Sequence, residues 1–267
     1  MKNILITGAS GGMGLATTKY LAHLGYQVYA LDIKQVEPID NVTSFVVDLT
    51  KQLEIQKVLL ALESSVKFDA IIHFVGTYYM DSLIEIDESH FKKIFDINFV
   101  SIYLVNKLFI NRLNPQAKVI ILSSELAPLD PLPFNGLYSL TKSLLEQYAI
   151  SLRQELNLLG YQVVVVRPGA IATSMINESI ANVQRMEQET VLYHEYVINF
   201  RKIVEANESK TIPPIKIAKL MAKIIKKSKP KLLYAINRNP KLMLLSMLPQ
   251  RMQLKIIKKL LSKKKGN

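Results

Sequence analysis

The chain has 267 residues, 49% hydrophobic and 21% charged, with only 10 Gly and 11 Pro, a balance that excludes disorder and collagen-like structure and suits one large domain. It contains no Cys, which excludes disulfides, thiolate metal sites and a cysteine nucleophile, and fits a reducing compartment. The net charge of +12 is divided: residues 1–208 carry 17 Lys+Arg against 22 Asp+Glu, whereas residues 209–267 carry 17 Lys+Arg and no acid. The protein is an acidic body with a basic tail, and the two need separate readings.

The opening MKNILITG has too short an apolar run for a secretory signal and meets a glycine-rich turn at once, so it reads as a strand. No run of about 18 uninterrupted apolar residues occurs anywhere. Strand-like runs follow at residues 2–7, 27–32, 42–49, 68–76, 118–124 and 162–167, with a further candidate at 231–236. Between them lie helical patterns near 12–24, 51–66, 88–113 and 139–159. Val119 to Leu122 and Val163 to Val166 are continuous hydrophobes, as expected of central strands buried on both faces. The alternation predicts a doubly wound α/β domain, a parallel sheet with right-handed helical crossovers.

The first strand runs into Thr7-Gly8-Ala9-Ser10-Gly11-Gly12-Met13-Gly14 and then a helix. Glycines there permit positive φ and close backbone approach, while the helix N-terminus offers unpaired N–H groups to a pyrophosphate. Ser10 and Met13 fall inside this dinucleotide-binding turn. Asp32 closes the second strand, where a carboxylate accepts from the adenosine ribose hydroxyls and repels a 2′-phosphate. The expected cofactor is therefore NAD rather than NADP, with Lys34 the one neighbour that argues the other way. Asp48 and Leu49, ending the third run, are placed beside the adenine; Asp48 has the alternative of capping the helix that starts near Lys51.

Ser123-Ser124 end a buried strand, and Tyr138-x-x-x-Lys142 open a helix. Twelve Tyr and 27 Lys give about 1.2 chance matches to the Tyr/Lys pattern, and Tyr103 with Lys107 is one. Tyr103 reads as packing, whereas Tyr138 and Lys142 share one helix face and Ser124 lies at a strand's carboxyl end, where open α/β sheets bind ligands. Reducing a carbonyl takes a hydride to carbon and a proton to oxygen. A phenol near pKa 10 is a weak base for the reverse reaction, so a neighbouring ammonium and the nicotinamide cation are expected to favour the phenolate. Tyr138 is then acid or base, Lys142 its tuner and ribose clamp, and Ser124 the hydrogen-bond partner of the substrate oxygen.

These residues make the sequence similar to the short-chain dehydrogenase/reductase family over roughly residues 2–175. Gly8, Gly12 and Gly14 fit its Thr-Gly-x-x-x-Gly-x-Gly turn, and Ser124, Tyr138 and Lys142 fit its catalytic triad. The resemblance implies that Asn98 is the fourth catalytic position, holding a water that relays protons from the Lys. It also implies that the backbone of Ile171 and the hydroxyl of Thr173 meet the nicotinamide carboxamide. Two departures stand out. The family's Asn-Asn-Ala-Gly is His73-Phe74-Val75-Gly76 here, keeping only Gly76, and the Ser124-to-Tyr138 spacing is one residue longer than is commonest. His73 reads as a satisfied core or strand-end histidine, since no second ligand stands at metal spacing.

Residues 1–240 are read as the Rossmann-fold domain, with 174–214 a polar helical insertion ending in Pro213-Pro214. That insertion is a lid candidate; the alternative is a peripheral helical pair. Residues 241–267 form a basic extension. Within 249–265, Met252, Ile256, Ile257, Leu260 and Leu261 fall near one helical face, with Lys255, Lys258, Lys259 and Lys263 to Lys265 for the polar side. Three destinations stay open for it: an anionic membrane surface, docking onto protein, or solvent. Nucleic acid is disfavoured because no aromatic residue follows Tyr234.

The combined reading is an NAD(H)-dependent alcohol dehydrogenase or carbonyl reductase. Met175, Ile176, Ile180, Val183 and Met186 in the lid candidate hint at an apolar, lipid-like alcohol or ketone, unless they pack against the domain. A sugar-nucleotide epimerase or dehydratase would share these motifs but needs a larger region beyond residue 170. A non-catalytic NAD-binding sensor is disfavoured by the intact reacting set. By analogy the chain is expected to self-associate through residues 88–113 and 139–159, and to be cytoplasmic, either free or peripheral at the inner face of a membrane.

Overall fold

The computed structural model describes residues 2–207 and 211–262. Seven parallel strands form one sheet in the order β3-β2-β1-β4-β5-β6-β7. They are β1 (Asn3–Thr7), β2 (Gln27–Asp32), β3 (Val42–Val46), β4 (Phe68–His73), β5 (Leu113–Leu122), β6 (Gln162–Pro168) and β7 (Leu233–Ile236). The helices are α1 (Gly12–His23), α2 (Gln52–Ala61), α3 (Glu88–Phe95), α4 (Ser101–Phe109), α5 (Gly136–Leu158), α6 (Ser174–Glu189), α7 (His194–Asn207), α8 (Ile215–Lys226), α9 (Pro240–Ser246) and α10 (Gln250–Leu261). The expected doubly wound sheet is therefore present. The strand order reverses between β1 and β4, and the crevice at that switch point is where such sheets bind ligands.

Alternate side chains of the central strands feed two cores. Leu5, Ile71, Val119 and Ile121 pack under α2, α4 and α5, whereas Ile4, Ile6, Ile72 and Ile120 pack with Leu21 of α1 and Met221 of α8. Residues 88–112 are long and apolar enough to cross a membrane by composition, yet Ile102, Val105 and Phe109 are fully buried in the first core, which is what a core helix requires. Tyr103, expected to pack, is instead 40% exposed, with the Lys107 ammonium over its ring. It follows Ile102 by one residue and so points away from the sheet.

The segment 88–113 is not one α-helix. Residues Asp96–Val100 form a π-helical turn between α3 and α4, a widening of the helix that periodicity in sequence does not announce. α5 starts at Gly136, three residues earlier than expected, so Tyr138 lies in its first turn. A third apolar cluster joins Met80 and Phe134 to Val183, Met186, Val197, Phe200 and Leu261, so α6, α7 and α10 share a core of their own. At its base the insertion is pinned, because Ile171 bridges Ile212 and the amide of Ala172 donates to the Ile212 carbonyl.

Candidate active site

The turn after β1 is shaped by backbone proximity. Gly8 has φ +68°, and a Cβ there would stand 2.5 Å from the Val75 nitrogen; one on Gly14 would stand 1.9 Å from the Gly8 carbonyl oxygen. Only glycine fits either place. α1 has no side-chain cap and no acid in its first turn, leaving its N-terminal amides for an anion. Asp32, at the end of β2, accepts from the amides of Ser10 (2.9 Å) and Lys34 (3.0 Å). A cavity of about 400 Å³ runs from this turn along Asp32, Asp48 and Leu49 to Gly76 and Thr173. Its dimensions, free amides and terminal carboxylate fit a dinucleotide. Asp48 is held by Thr50, whose amide and hydroxyl both donate to it; the N-cap of α2 is Lys51, so Asp48 braces the preceding turn rather than capping the helix.

A second cavity, of about 290 Å³, adjoins the first: Met13, Phe74, Gly76, Thr173 and Met175 line both. Ser124, Tyr138 and Lys142 line the second and are all buried. The Lys142 ammonium donates to the Leu122 carbonyl (3.3 Å) and lies 5.7 Å from the centre of the Tyr138 ring. Burial pushes the Tyr138 phenol up to about 12, offset in part by its hydrogen bond with the Ser124 hydroxyl. Burial also pulls Lys142 down to about 8. The expected acidic phenol is thus not a property of the protein's own groups: desolvation disfavours phenolate and ammonium alike and outweighs their attraction.

Asn98 sits on the π-helical turn, fully buried. Its amide donates to the Thr77 carbonyl and to Thr141 Oγ1 (both 3.0 Å), and its oxygen accepts from the Thr77 amide (2.7 Å). Thr141 in turn donates to the Tyr138 carbonyl (2.8 Å). A Cβ on Gly76 would stand 3.3 Å from both Asn98 Oδ1 and Lys142 Nζ, so those atoms flank the Gly76 α-carbon. Ser123 donates to Glu146 (2.6 Å), which holds Arg167 through two hydrogen bonds, bracing the ends of β5 and β6 against α5. Ile171 and Thr173 line the second cavity, and the Thr173 side chain covers the α-carbon of Gly12.

His73 is fully buried at the end of β4. Asn106 Oδ1 is an acceptor, so His73 Nε2–H donates to it (2.9 Å), leaving Nδ1 to accept from the Thr7 hydroxyl (3.2 Å). Burial holds its pKa near 4, and the ring is neutral. It is the satisfied histidine expected, tying β1 to α4 where the family has an amide.

These motifs and this sheet match the short chain dehydrogenase family over residues 2–184. The chain belongs to that family. Short-chain dehydrogenases are NAD(P)-dependent oxidoreductases acting on CH–OH or C=O groups, and so is this one. It is 26% identical to 3-ketodihydrosphingosine reductase of Bacteroides thetaiotaomicron, over 85% of this chain and 84% of that protein. It is 27% identical to the NADPH-dependent 1-acyldihydroxyacetone phosphate reductase of Schizosaccharomyces pombe, over 78% and 72%. The crystal structure of a short-chain dehydrogenase family protein from Francisella tularensis superposes with a TM-score of 0.74 at 26% identity, covering 88% of this chain and 97% of that one.

Several residues of the dehydrogenase's site carry no sequence signal. Tyr78 packs edge-on against Tyr138, ring centres 4.5 Å apart, and its hydroxyl donates to Asn135 Oδ1 (2.5 Å). From the insertion, Met175, Ser179, Phe200 and Ile203 line the second cavity. Val183 and Met186, offered as substrate contacts, pack in the third cluster instead; the Ile176 side chain lies outside the described residues. The insertion is fastened to the loop after β4: Arg185 pairs with Asp81 (2.8 Å), and Glu85 accepts from Thr190 Oγ1 and from the amides of Val191 and Leu192.

Proposed function

We propose that the protein is an NAD-preferring carbonyl reductase or alcohol dehydrogenase for an apolar, lipid-like ketone or secondary alcohol. The observation that carries this reading is the junction of the two cavities: one that runs along the glycine turn, fit for a dinucleotide, adjoins an apolar one that holds Ser124, Tyr138 and Lys142. NAD(P), when bound, supplies or accepts the hydride. In the reducing direction the Ser124 hydroxyl holds the substrate oxygen, Tyr138 gives that oxygen its phenolic proton, and Lys142 makes good the charge and clamps the ribose. Asn98 and Thr141 position the first turn of α5. The apolar lining supports a hydrophobic substrate, as do the two relatives, one named for a 3-ketodihydrosphingosine and one for an acyldihydroxyacetone phosphate.

The preference for NAD rests on Asp32, whose carboxylate stands in the wall of the first cavity, although the Schizosaccharomyces relative is named NADPH-dependent. Asp32→Asn removes the charge at the cost of one of the two amide bonds that fix the side chain, and should narrow the NADH/NADPH ratio of kcat/KM by about tenfold, the worth of one charged contact. An unchanged ratio removes Asp32 from that role. Self-association through α4 and α5 is supported by apolar side chains left on their outer faces: Tyr103, Leu140, Leu144 and Ile150.

The deciding experiment is NADH and NADPH oxidation against a panel of ketones of increasing chain length, with Tyr138→Phe alongside. Turnover that rises with chain length and vanishes in the variant, while cofactor binding persists, is the expected result. Equal turnover by Tyr138→Phe overturns the assignment.

A further inference from the structure

α10 uses only half of its apolar stripe against the protein. Leu261 and Ile257 join the third cluster, Asn199 of α7 donates to the Leu261 carbonyl (2.8 Å), and Gln253 donates to Asp130 and to the Leu248 carbonyl (2.9 Å each). That much of the tail docks onto protein. The rest of the stripe, Met252, Ile256 and Leu260, stays exposed, and so does Leu254 on the other flank. α9, which touches α10, adds Leu244 at 66% exposure, and the connection 247–249 adds Met247 at 80%. Large apolar side chains this bare on adjoining helices are unusual for a surface that meets only water.

Around them the charge has one sign. Lys241, Arg251, Lys255, Lys258 and Lys259 are exposed, and none takes part in an ion pair among the described residues. Two acids beside these helices are already engaged, Asp130 by Gln253 and Glu125, buried, by the Asn239 amide (2.5 Å) and by the charge of Arg238. A second copy of the same face would bring these five cations against five. Nucleic acid would leave the exposed Leu and Met side chains without a partner. An anionic bilayer satisfies both: headgroup phosphates take the lysines and the acyl boundary takes Leu244, Met247 and Met252.

We infer that the outer face of α9 and α10 docks the protein on an anionic lipid bilayer and holds the mouth of the apolar cavity against it. The placement of α9 carries the second half. Its residue Leu242 and its N-cap Asn239 line the cavity that contains Tyr138, while Leu244 and Met247 face outward, so one short helix borders both the cavity and the docking surface. Glu125, next to Ser124, anchors α9 through Asn239. A lipid ketone leaving the bilayer along α9 would reach Ser124 without crossing water. The docking stands on the surface itself; the delivery rests on the lipid-ketone reading proposed above.

The test is co-sedimentation of the full chain with vesicles of equal parts phosphatidylcholine and phosphatidylglycerol, against phosphatidylcholine alone. Binding to the anionic vesicles only, weakening as salt is raised, is expected. Lys255→Glu, Lys258→Glu and Lys259→Glu together should weaken it on the order of 100-fold. Leu244→Ser with Met247→Ser should weaken it by about tenfold at least, with unchanged circular dichroism in both cases because all five side chains are exposed. Equal pelleting with both vesicle types overturns the inference. So does unaltered binding by both variants, tighter binding to an oligonucleotide than to anionic vesicles, or a fall in oligomer size as the variants' one effect. For delivery, each variant is assayed on an acyl ketone presented in vesicles and on a short water-soluble ketone. Loss confined to the vesicle substrate supports delivery, and equal rates on it overturn delivery. If the wild type turns over neither ketone while still binding vesicles, the redox reading fails and the docking survives.

Discussion

The two cavities that meet at Thr173 are walled in different ways. The dinucleotide cavity is built on a backbone turn: the turn after β1 is held by contacts of Gly8 with Val75 and of Gly14 with the Gly8 carbonyl, and the carboxylate of Asp32 beside it is fixed by two amides. The apolar cavity is mostly side chains, several of them from α6, α7 and α9, which reach it because a separate cluster of Met80, Phe134, Val183, Met186 and Phe200 holds the insertion in place. The first wall tolerates almost no change of residue type. The second accepts any set of side chains that fills the same volume, so it is the wall through which substrate choice can vary.

The largest expected effect falls where the walls meet. Tyr138→Phe should lower kcat on the order of 10³-fold, the usual weight of a positioned general acid, while leaving the melting temperature and NADH affinity nearly unchanged; parallel loss of all three would make Tyr138 structural. On the backbone wall, Gly8→Ala forces a Cβ into a left-handed turn against Val75 and should cost on the order of 3 kcal/mol in denaturant unfolding. A cost below about 1 kcal/mol would mean that the turn is not the rigid element it is taken to be.

Beneath that wall, His73 makes stability depend on pH. Its pKa near 4 in the folded chain lies below the ordinary 6.5, so the unfolded chain takes up the proton first and stability falls as pH drops from about 6.5 toward 4. The full span is worth about 3 kcal/mol. His73→Gln should flatten that limb in urea melts at pH 7.5, 6 and 5, and an unaltered slope would place the dependence on other groups. The smallest effect belongs to the side-chain wall. Arg185→Ala removes the pair with Asp81, the pair with Glu189 and a cation stacked on Tyr79, yet Arg185 is partly solvated, so about 1 kcal/mol is expected. KM for long-chain ketones should rise more than KM for short ones.

The same division governs what could be read in advance. The seven strands, the glycine turn, Asp32 and the Ser124, Tyr138, Lys142 set were legible because each rests on local pattern: continuous hydrophobes, residues that tolerate positive φ, a helix spacing of four. The π-helical turn that carries Asn98 was not, since one widened turn leaves the apolar spacing on either side nearly intact. Tyr78 and Asn135 were invisible for another reason. Both lie outside the regular elements, and their meeting at Tyr138 is created by the folding of segments far apart in the chain. Lys142 stands beside Tyr138 as the helix spacing implies, yet burial rather than the ammonium governs the phenol, because sequence reports which charge is near and not how much water burial removes. The apolar face of 249–265 divides in the structure: Ile257 and Leu261 pack inward, Met252, Ile256 and Leu260 stay exposed, and Lys263 to Lys265 lie outside the described residues.

The bridge between Ile171 and Ile212 closes the insertion at its root, so its two ends lie side by side. A segment attached in that manner is a cassette. It can be lengthened, shortened or exchanged for another pair of helices without disturbing the strand end that seats Ser124, and the chemistry of hydride transfer and the choice of molecule to be transformed can evolve on separate schedules.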